Sequence, residues 1–145
     1  MTSSYVLDTD VLVAALRSKH GASRQLLLGA LNGEFELLLS VPLILEYEAV
    51  LTRPEHLVAS GLRKNEVERL LDDVAAVAIP VRLAFRWRPQ LPDADDDMVL
   101  ETAVNGGANA IITFNQSDFG QAARSFHCAV TSPAEALERL RRFNP

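Results

Sequence analysis

Acidic side chains recur in this chain directly after stretches with the composition of β-strands. Tyr5-Val6-Leu7 runs into Asp8-Thr9-Asp10, and the apolar run Phe35–Ser40 is followed, a turn or so into the next helix, by Glu46 and Glu48. Ala110-Ile111-Ile112 leads to Thr113, Phe114 and Asn115, and then to Asp118. A fourth tract, Asp93-Ala94-Asp95-Asp96-Asp97, opens a helix-like segment. Each acid taken alone also has a plain structural role. Asp8 fits a helix N-cap, Asp96 and Asp97 suit the positive end of a helix dipole, and Glu46 suits an exposed helix face. In open parallel sheets, however, ligands bind beyond the carboxyl ends of the strands, so these groups should meet at one sheet edge. Two carboxylates ~4 Å apart repel by about 4 kcal/mol at an effective dielectric of about 20. A hard divalent cation resolves that conflict, and Mg²⁺ or Mn²⁺ suits a set of carboxylate oxygens. Such an ion lowers the pKa of a bound water, orients it and stabilises charge on phosphate oxygens. The three histidines, His20, His56 and His127, are scattered without ligand spacing, so zinc is not expected. No Ser-His-Asp order, nucleophile elbow, P-loop or GxGxxG is present.

The elements that must position these acids are legible in outline. Strands are predicted at Tyr5–Leu7, Phe35–Ser40, Ala78–Leu83, Ala110–Thr113 and Phe126–Thr131. Helical character is predicted over Val11–Leu16 and over His20–Asn32, the latter closed by Gly33. It is also predicted over Leu43–Thr52, with Pro42 in the first turn and Arg53-Pro54 as the stop. Asn65 with Glu68 has the form of a capping box ahead of the stripe Leu70, Leu71, Val74 and Val77. Arg86–Pro92 reads as a loop, and Asp96–Asn105 as a helix ended by Gly106-Gly107. Ser132-Pro133-Ala134-Glu135 is the clearest helix start. Strands alternate with helices, and several strands are short continuous apolar runs. The expected fold is an α/β protein, a three-layer α/β/α sandwich with a mostly parallel central sheet, in one domain over residues 1–145.

Charge and composition narrow the partners. The 145 residues carry 14 Lys and Arg against 19 Asp and Glu, a net charge of −5. That balance argues against a strongly basic, tail-driven nucleic-acid binder and leaves room for an acidic site that holds cations. The single cysteine, Cys128, lies in an apolar stretch and is expected to be a buried small hydrophobe in a reducing compartment. The first residues lack the basic start of a signal peptide, and no apolar run approaches the ~20 residues of a membrane span. A soluble, cytoplasmic protein is expected.

Tyr5-Val6-Leu7-Asp8-Thr9-Asp10-Val11-Leu12-Val13 resembles the first motif of PIN-domain ribonucleases, usually written VLDTNVLV. Leu39–Pro42 through Glu46 to Leu51, then Arg53-Pro54, is similar to the family's second acidic helix. Asp93–Leu100 with Ala103 resembles the third motif, in which the Asp seven residues before that Ala is the ligand, here Asp96. Ala110–Asn115 with Asp118-Phe119 resembles the fourth. The resemblance runs from about residue 5 to 120 and lies nearest the toxins of type II toxin–antitoxin pairs, relatives of VapC. It implies a Mg²⁺- or Mn²⁺-dependent endoribonuclease, often a homodimer, silenced by a small antitoxin protein. Asp8, Glu46 and Asp96 would be its metal-binding acids, and Thr9 and Thr113 small polar supports. The chain departs from the family at two positions: the usual Asn of the first motif is Asp10, and the usual fourth acid is Asn115. Asp118 or Asp93 would compensate, and one metal would be held well and a second weakly.

An acidic protein must hold RNA through local cations. Arg82, Arg86 and Arg88, with Trp87 as a stacking face, lead into Asp93, and Arg53 follows the Glu46 helix. Two other readings fit parts of the pattern. One is a PIN-fold RNA- or protein-binding module weakened in catalysis by Asn115. The other is a haloacid dehalogenase-like phosphatase, with Asp8 as nucleophile and Asp10 as general acid. That second chemistry needs a lysine after the later Thr, and the only lysines are Lys19 and Lys64.

Overall fold

The computed structural model describes residues 2–84 and 94–143. The chain opens with β1 (Ser4–Leu7), α1 (Thr9–Arg17), α2 (Ala22–Leu31) and β2 (Glu36–Leu39). It continues through α3 (Val41–Leu51), α4 (Pro54–Ser60), α5 (Lys64–Val77) and β3 (Ile79–Pro80). It closes with α6 (Ala94–Gly106), β4 (Ala110–Ile112), α7 (Gln116–Ser125), β5 (Ala129–Thr131) and α8 (Pro133–Phe143). The five strands form one parallel sheet in the order β3-β2-β1-β4-β5. Val6, Leu7, Leu37, Leu38, Ile111 and Ile112 are buried, as strands covered on both faces require. The α/β architecture with a parallel central sheet is therefore as expected.

The strand order dictates where a site can form. From β1 the chain moves outward through β2 to β3, then crosses back to β4 and moves outward the other way to β5. Right-handed crossovers put the helices of the two halves on opposite faces. In keeping with this, α2 packs on α1 and α5, whereas α6 lies against β1, β2, β4 and α7; α8, which follows the last strand and is no crossover, packs back on α2. The reversal opens a crevice beyond the carboxyl ends of β1 and β4. Register places Leu7 beside Ile112, so the next residues, Asp8 and Thr113, start side by side. Gly106 lets α6 come down close on the sheet: a Cβ there would lie 2.8 Å from both Leu38 Cδ1 and Val81 Cγ2. Gly107, at φ +63°, then takes the left-handed turn that ends the helix.

Several local expectations need correction. Arg53-Pro54 does end α3, but Pro54 also starts a further helix, α4, because proline suits a first helical position. The capping box lies two residues earlier than Asn65/Glu68: the Arg63 backbone N–H donates to Glu66 Oε1 at 3.0 Å, and Asn65 is inside α5. The strand expected over Ala78–Leu83 shrinks to Ile79–Pro80, where Pro80 has no N–H to give the ladder. The strand expected from Phe126 starts only at Ala129, because the Cys128 N–H still bonds back to the Ala123 carbonyl and His127 sits at φ 59°. Helix α7 was not expected. Its sequence is polar and its middle is broken at Gly120. Among the described residues no helix is long and apolar enough to cross a membrane.

Candidate active site

Asp8 is where β1 becomes α1. Its backbone N–H continues the sheet by donating to the Ile112 carbonyl at 2.9 Å. Its side chain caps α1, with Oδ1 accepting from the Thr9 N–H at 2.8 Å, and Oδ2 accepts from Thr113 Oγ1 at 2.7 Å. Both carboxylate oxygens are thus fixed by the two segments that flank the crevice. The Tyr47 hydroxyl, fully buried on α3, donates to the Leu7 carbonyl and ties the preceding peptide as well. Burial pushes the Asp8 carboxyl above its usual range, partly opposed by its bonds from Thr113 and Thr9. The negative charge of Asp118 adds a smaller push in the same direction.

Asp10 follows in the first turn of α1. Its Oδ2 collects donors from three neighbours: Phe114 N at 3.2 Å, Asn115 Nδ2 at 3.2 Å and, more weakly, Thr113 Oγ1 at 3.4 Å. Its other oxygen, Oδ1, is buried and has no hydrogen-bond partner among the described residues. Burial, and then the charge of Asp8, push the Asp10 carboxyl from 3.8 up to about 7. Two adjacent carboxyls, one buried and one half-buried, that resist ionisation, one with an oxygen lacking a donor, fit a hard cation rather than a further hydrogen bond.

Around this pair lies a cleft of about 340 Å³. Glu46 from α3 and Asp96 from α6 line it together with Asp8, Thr9, Asp10 and Asn115. Arg53 and His56 form part of its wall, with Val13 and Val50 as the apolar remainder. Helix α3 is set for this by Ser40, whose hydroxyl caps it at Leu43 N (3.4 Å) and bonds Thr102 of α6 at 2.7 Å. The structure therefore brings Asp8, Thr9, Asp10, Glu46, Asp96, Asn115 and Arg53 to one place, with Thr113 behind them. Asp118 is exposed on α7, acting on Asp8 only through its charge. Arg82 is exposed beyond β3 and does not line the cleft. Asp93, Arg86, Arg88 and Trp87 lie outside the described residues. Among those described, no three His, Cys, Asp or Glu side chains form a finished metal cage. The acids face one cleft without closing on one point. A second cavity of about 360 Å³, between α7 and β5 beside the buried Cys128, contains none of these acids.

Sequence reasoning missed two residues here. Tyr47 carries no signal in the sequence, and only the topology shows its hydroxyl reaching β1. His56 was set aside for want of ligand spacing, and the signal that would have found it is Pro54 as a helix start. Tyr47→Phe is expected to lower stability by about 1–2 kcal/mol, because the buried Leu7 carbonyl loses its donor. For a chain of this size that is a fall in Tm of about 5 °C, and an unchanged melt would show the bond contributes nothing.

A PIN domain family model matches residues 4–117. A chain of the crystal structure of VapBC2 from Rickettsia felis bound to a DNA fragment from its promoter has the same fold. It superposes with a TM-score of 0.59 over 89% of this chain and 98% of that one, at 12% sequence identity. No curated protein matches in sequence. The phosphatase alternative falls with the family match. The matched stretch contains Asp8, Asp10, Glu46, Asp96 and Asn115 and covers most of the sequence, and the chain belongs to the PIN domain family.

Proposed function

We propose that this protein is a Mg²⁺- or Mn²⁺-dependent endoribonuclease and the toxin of a toxin–antitoxin pair. The observation that carries the reading is the carboxyl pair Asp8–Asp10 in a cleft that Glu46 and Asp96 also line. Asp8, Glu46 and Asp96 would hold the cation, with Asp10 and Asn115 beside them. When bound, the ion supplies an activated water and neutralises charge on the phosphate. The chain's own groups do the positioning. Thr9 and Thr113 fix the Asp8 carboxylate, and Asn115 turns one oxygen of Asp10 towards itself, leaving the other to the site. Arg53 offers the cleft a bidentate phosphate contact. The match to a VapBC complex supports a small antitoxin as partner, and a homodimer and a cytoplasmic setting go with that reading.

The two departures from the family pattern lie against one another. The acid at position 10 and the amide at position 115 are hydrogen bonded at 3.2 Å. In our reading they are a single exchange: the amide usual in the first motif and the acid usual in the fourth have traded places. The carboxylate count at this corner is unchanged. Neither Asp118 nor Asp93 is then needed as a substitute, and the argument for a catalytically weakened binding module loses its main support.

The test is cleavage of a short single-stranded RNA with Mg²⁺ or Mn²⁺. Cleavage by the wild type should stop on chelation, and Asp96→Asn should lower kcat about a hundredfold. Equal rates in the two proteins would reject the assignment of Asp96. Absence of cleavage with cation binding intact would favour the binding module.

A further inference from the structure

Arg53 and His56 line the cleft without belonging to the proposed cation set or the capping network, and His56 has as yet no role. His56 lies in the first turn of α4, where its backbone N–H closes the turn on the Arg53 carbonyl at 3.0 Å. Both residues line the acid cleft. The ring is oriented by a contact from Nδ1 to Nη2 of Arg17, 3.0 Å away in the last turn of α1. A guanidinium has donors and no acceptor, so Nδ1 must be the accepting nitrogen. The neutral ring therefore carries its proton on Nε2. That tautomer has no lone pair for a metal at Nε2. What it can do is donate one hydrogen bond from a fixed direction.

We propose that His56, oriented by Arg17, is a phosphate-binding residue for the RNA segment that flanks the scissile bond. This rests on the ribonuclease reading above. The cleft then has two chemically different sets of groups. Asp8, Glu46 and Asp96 would hold the cation, which would supply charge to the reacting phosphate. Arg53 and His56, which line the same cleft, present donors to the non-bridging oxygens of a neighbouring phosphate, with Arg53 supplying charge and His56 direction. Arg17 acts only through His56 and is a positioning residue. The arrangement favours a polyanion over a small phosphomonoester, because the cation and the Arg53–His56 donors take different phosphates.

The experiment compares kcat and KM for a short fluorescein-labelled single-stranded RNA with Mn²⁺. The proteins are wild type, His56→Ala, His56→Gln, Arg17→Ala, the double variant H56A/R17A and Asp8→Asn. His56→Ala should raise KM about tenfold with kcat nearly unchanged, since the contact is made before and during the reaction alike. His56→Gln, whose amide N–H reaches the place of Nε2, should recover most of that loss. It also keeps the test alive if the alanine variant folds poorly. Arg17→Ala should raise KM by a similar factor in the wild type and by nothing in the His56→Ala background. Unchanged KM in both His56 variants, a fall in kcat alone, or additive effects of the two sites would overturn the proposal. If Asp8→Asn cleaves as well as wild type, the ribonuclease reading itself has failed. If Asp8→Asn is inactive while His56→Ala behaves as wild type, only this inference has failed.

Discussion

Asp8→Asn is expected to lower kcat/KM for RNA about a thousandfold while making the cation-free protein harder to unfold. The loss of activity corresponds to roughly 4 kcal/mol of transition-state stabilisation, the scale of removing a principal charge from a cation site. The gain in stability has a separate cause. Asp8 is 6% exposed, and burial holds its carboxyl above the ordinary range, so its charge is a cost to the folded state. An asparagine keeps the cap, because its Oδ1 still accepts from the Thr9 N–H and its amide can donate to the Thr113 hydroxyl. It also removes the charge that raises Asp10. A gain of about 1 kcal/mol, or about 3 °C in Tm, should follow in chelator. Added Mn²⁺ should raise the Tm of the wild type by several degrees more than that of the variant, since only the wild type gains the full binding energy. Rates of RNA cleavage within tenfold of each other, or a variant that melts lower in chelator, would contradict the assigned role. The paired signs matter because a merely structural Asp8 would lose stability on substitution, whereas a site carboxylate gains it.

The parts of this site that the sequence reveals are those set by local rules. Asp8 is readable because a β-rich tripeptide ends on a residue that can cap a helix, and Thr113 because it follows the most apolar strand. Glu46 is readable from Ser40-Val41-Pro42, a cap and a first-turn proline that fix the start of α3. Once the strands are placed, the carboxyl-edge rule brings these segments together without further information. What stays hidden depends on contacts between distant segments. The three donors gathered by Asp10 all come from residues more than a hundred positions away. Helix α4 was hidden by an ambiguity of proline itself, which ends one helix by the same property that lets it begin another. With α4 unseen, His56 had no wall to stand on. Arg82 errs the other way. Its nearness in sequence to the acidic tract suggested a cleft residue, but the short edge strand β3 leaves it outside.

The Asp10–Asn115 pair offers the sharpest separation of charge from position. With Asp10 at about 7 in the folded state and 3.8 as its ordinary value, the folded chain holds this proton more tightly than the unfolded chain. Below about pH 4 both states are protonated and its contribution to stability is fully present. Between pH 4 and 7 the unfolded state ionises first, so stability falls as pH rises, and above pH 7 the loss is complete. Allowing for solvent screening at this half-buried group, the loss is about 1–2 kcal/mol, or about 5 °C in Tm between pH 4 and 8 in chelator. Mn²⁺ binds the ionised form and should offset the loss most at the high end. Asp10→Asn should flatten most of this slope, leave the part due to Asp8, and reduce cleavage about a hundredfold. Asn115→Asp alone sets a second carboxylate against Asp10 and should steepen the slope. The double exchange, Asp10→Asn with Asn115→Asp, rebuilds one acid and one amide in hydrogen-bonding reach with the polarity reversed. It should bring back both the pH slope in chelator and the Mn²⁺-induced rise in Tm, and return cleavage to within about tenfold of wild type. Opposite single effects on the slope that cancel in the double variant, with cleavage restored, require the carboxylate, rather than its address, to be what the site uses. A double variant no better than Asp10→Asn would instead make Asp10 a structural anchor for the Thr113–Asn115 turn, and the metal set would then end at Asp8, Glu46 and Asp96.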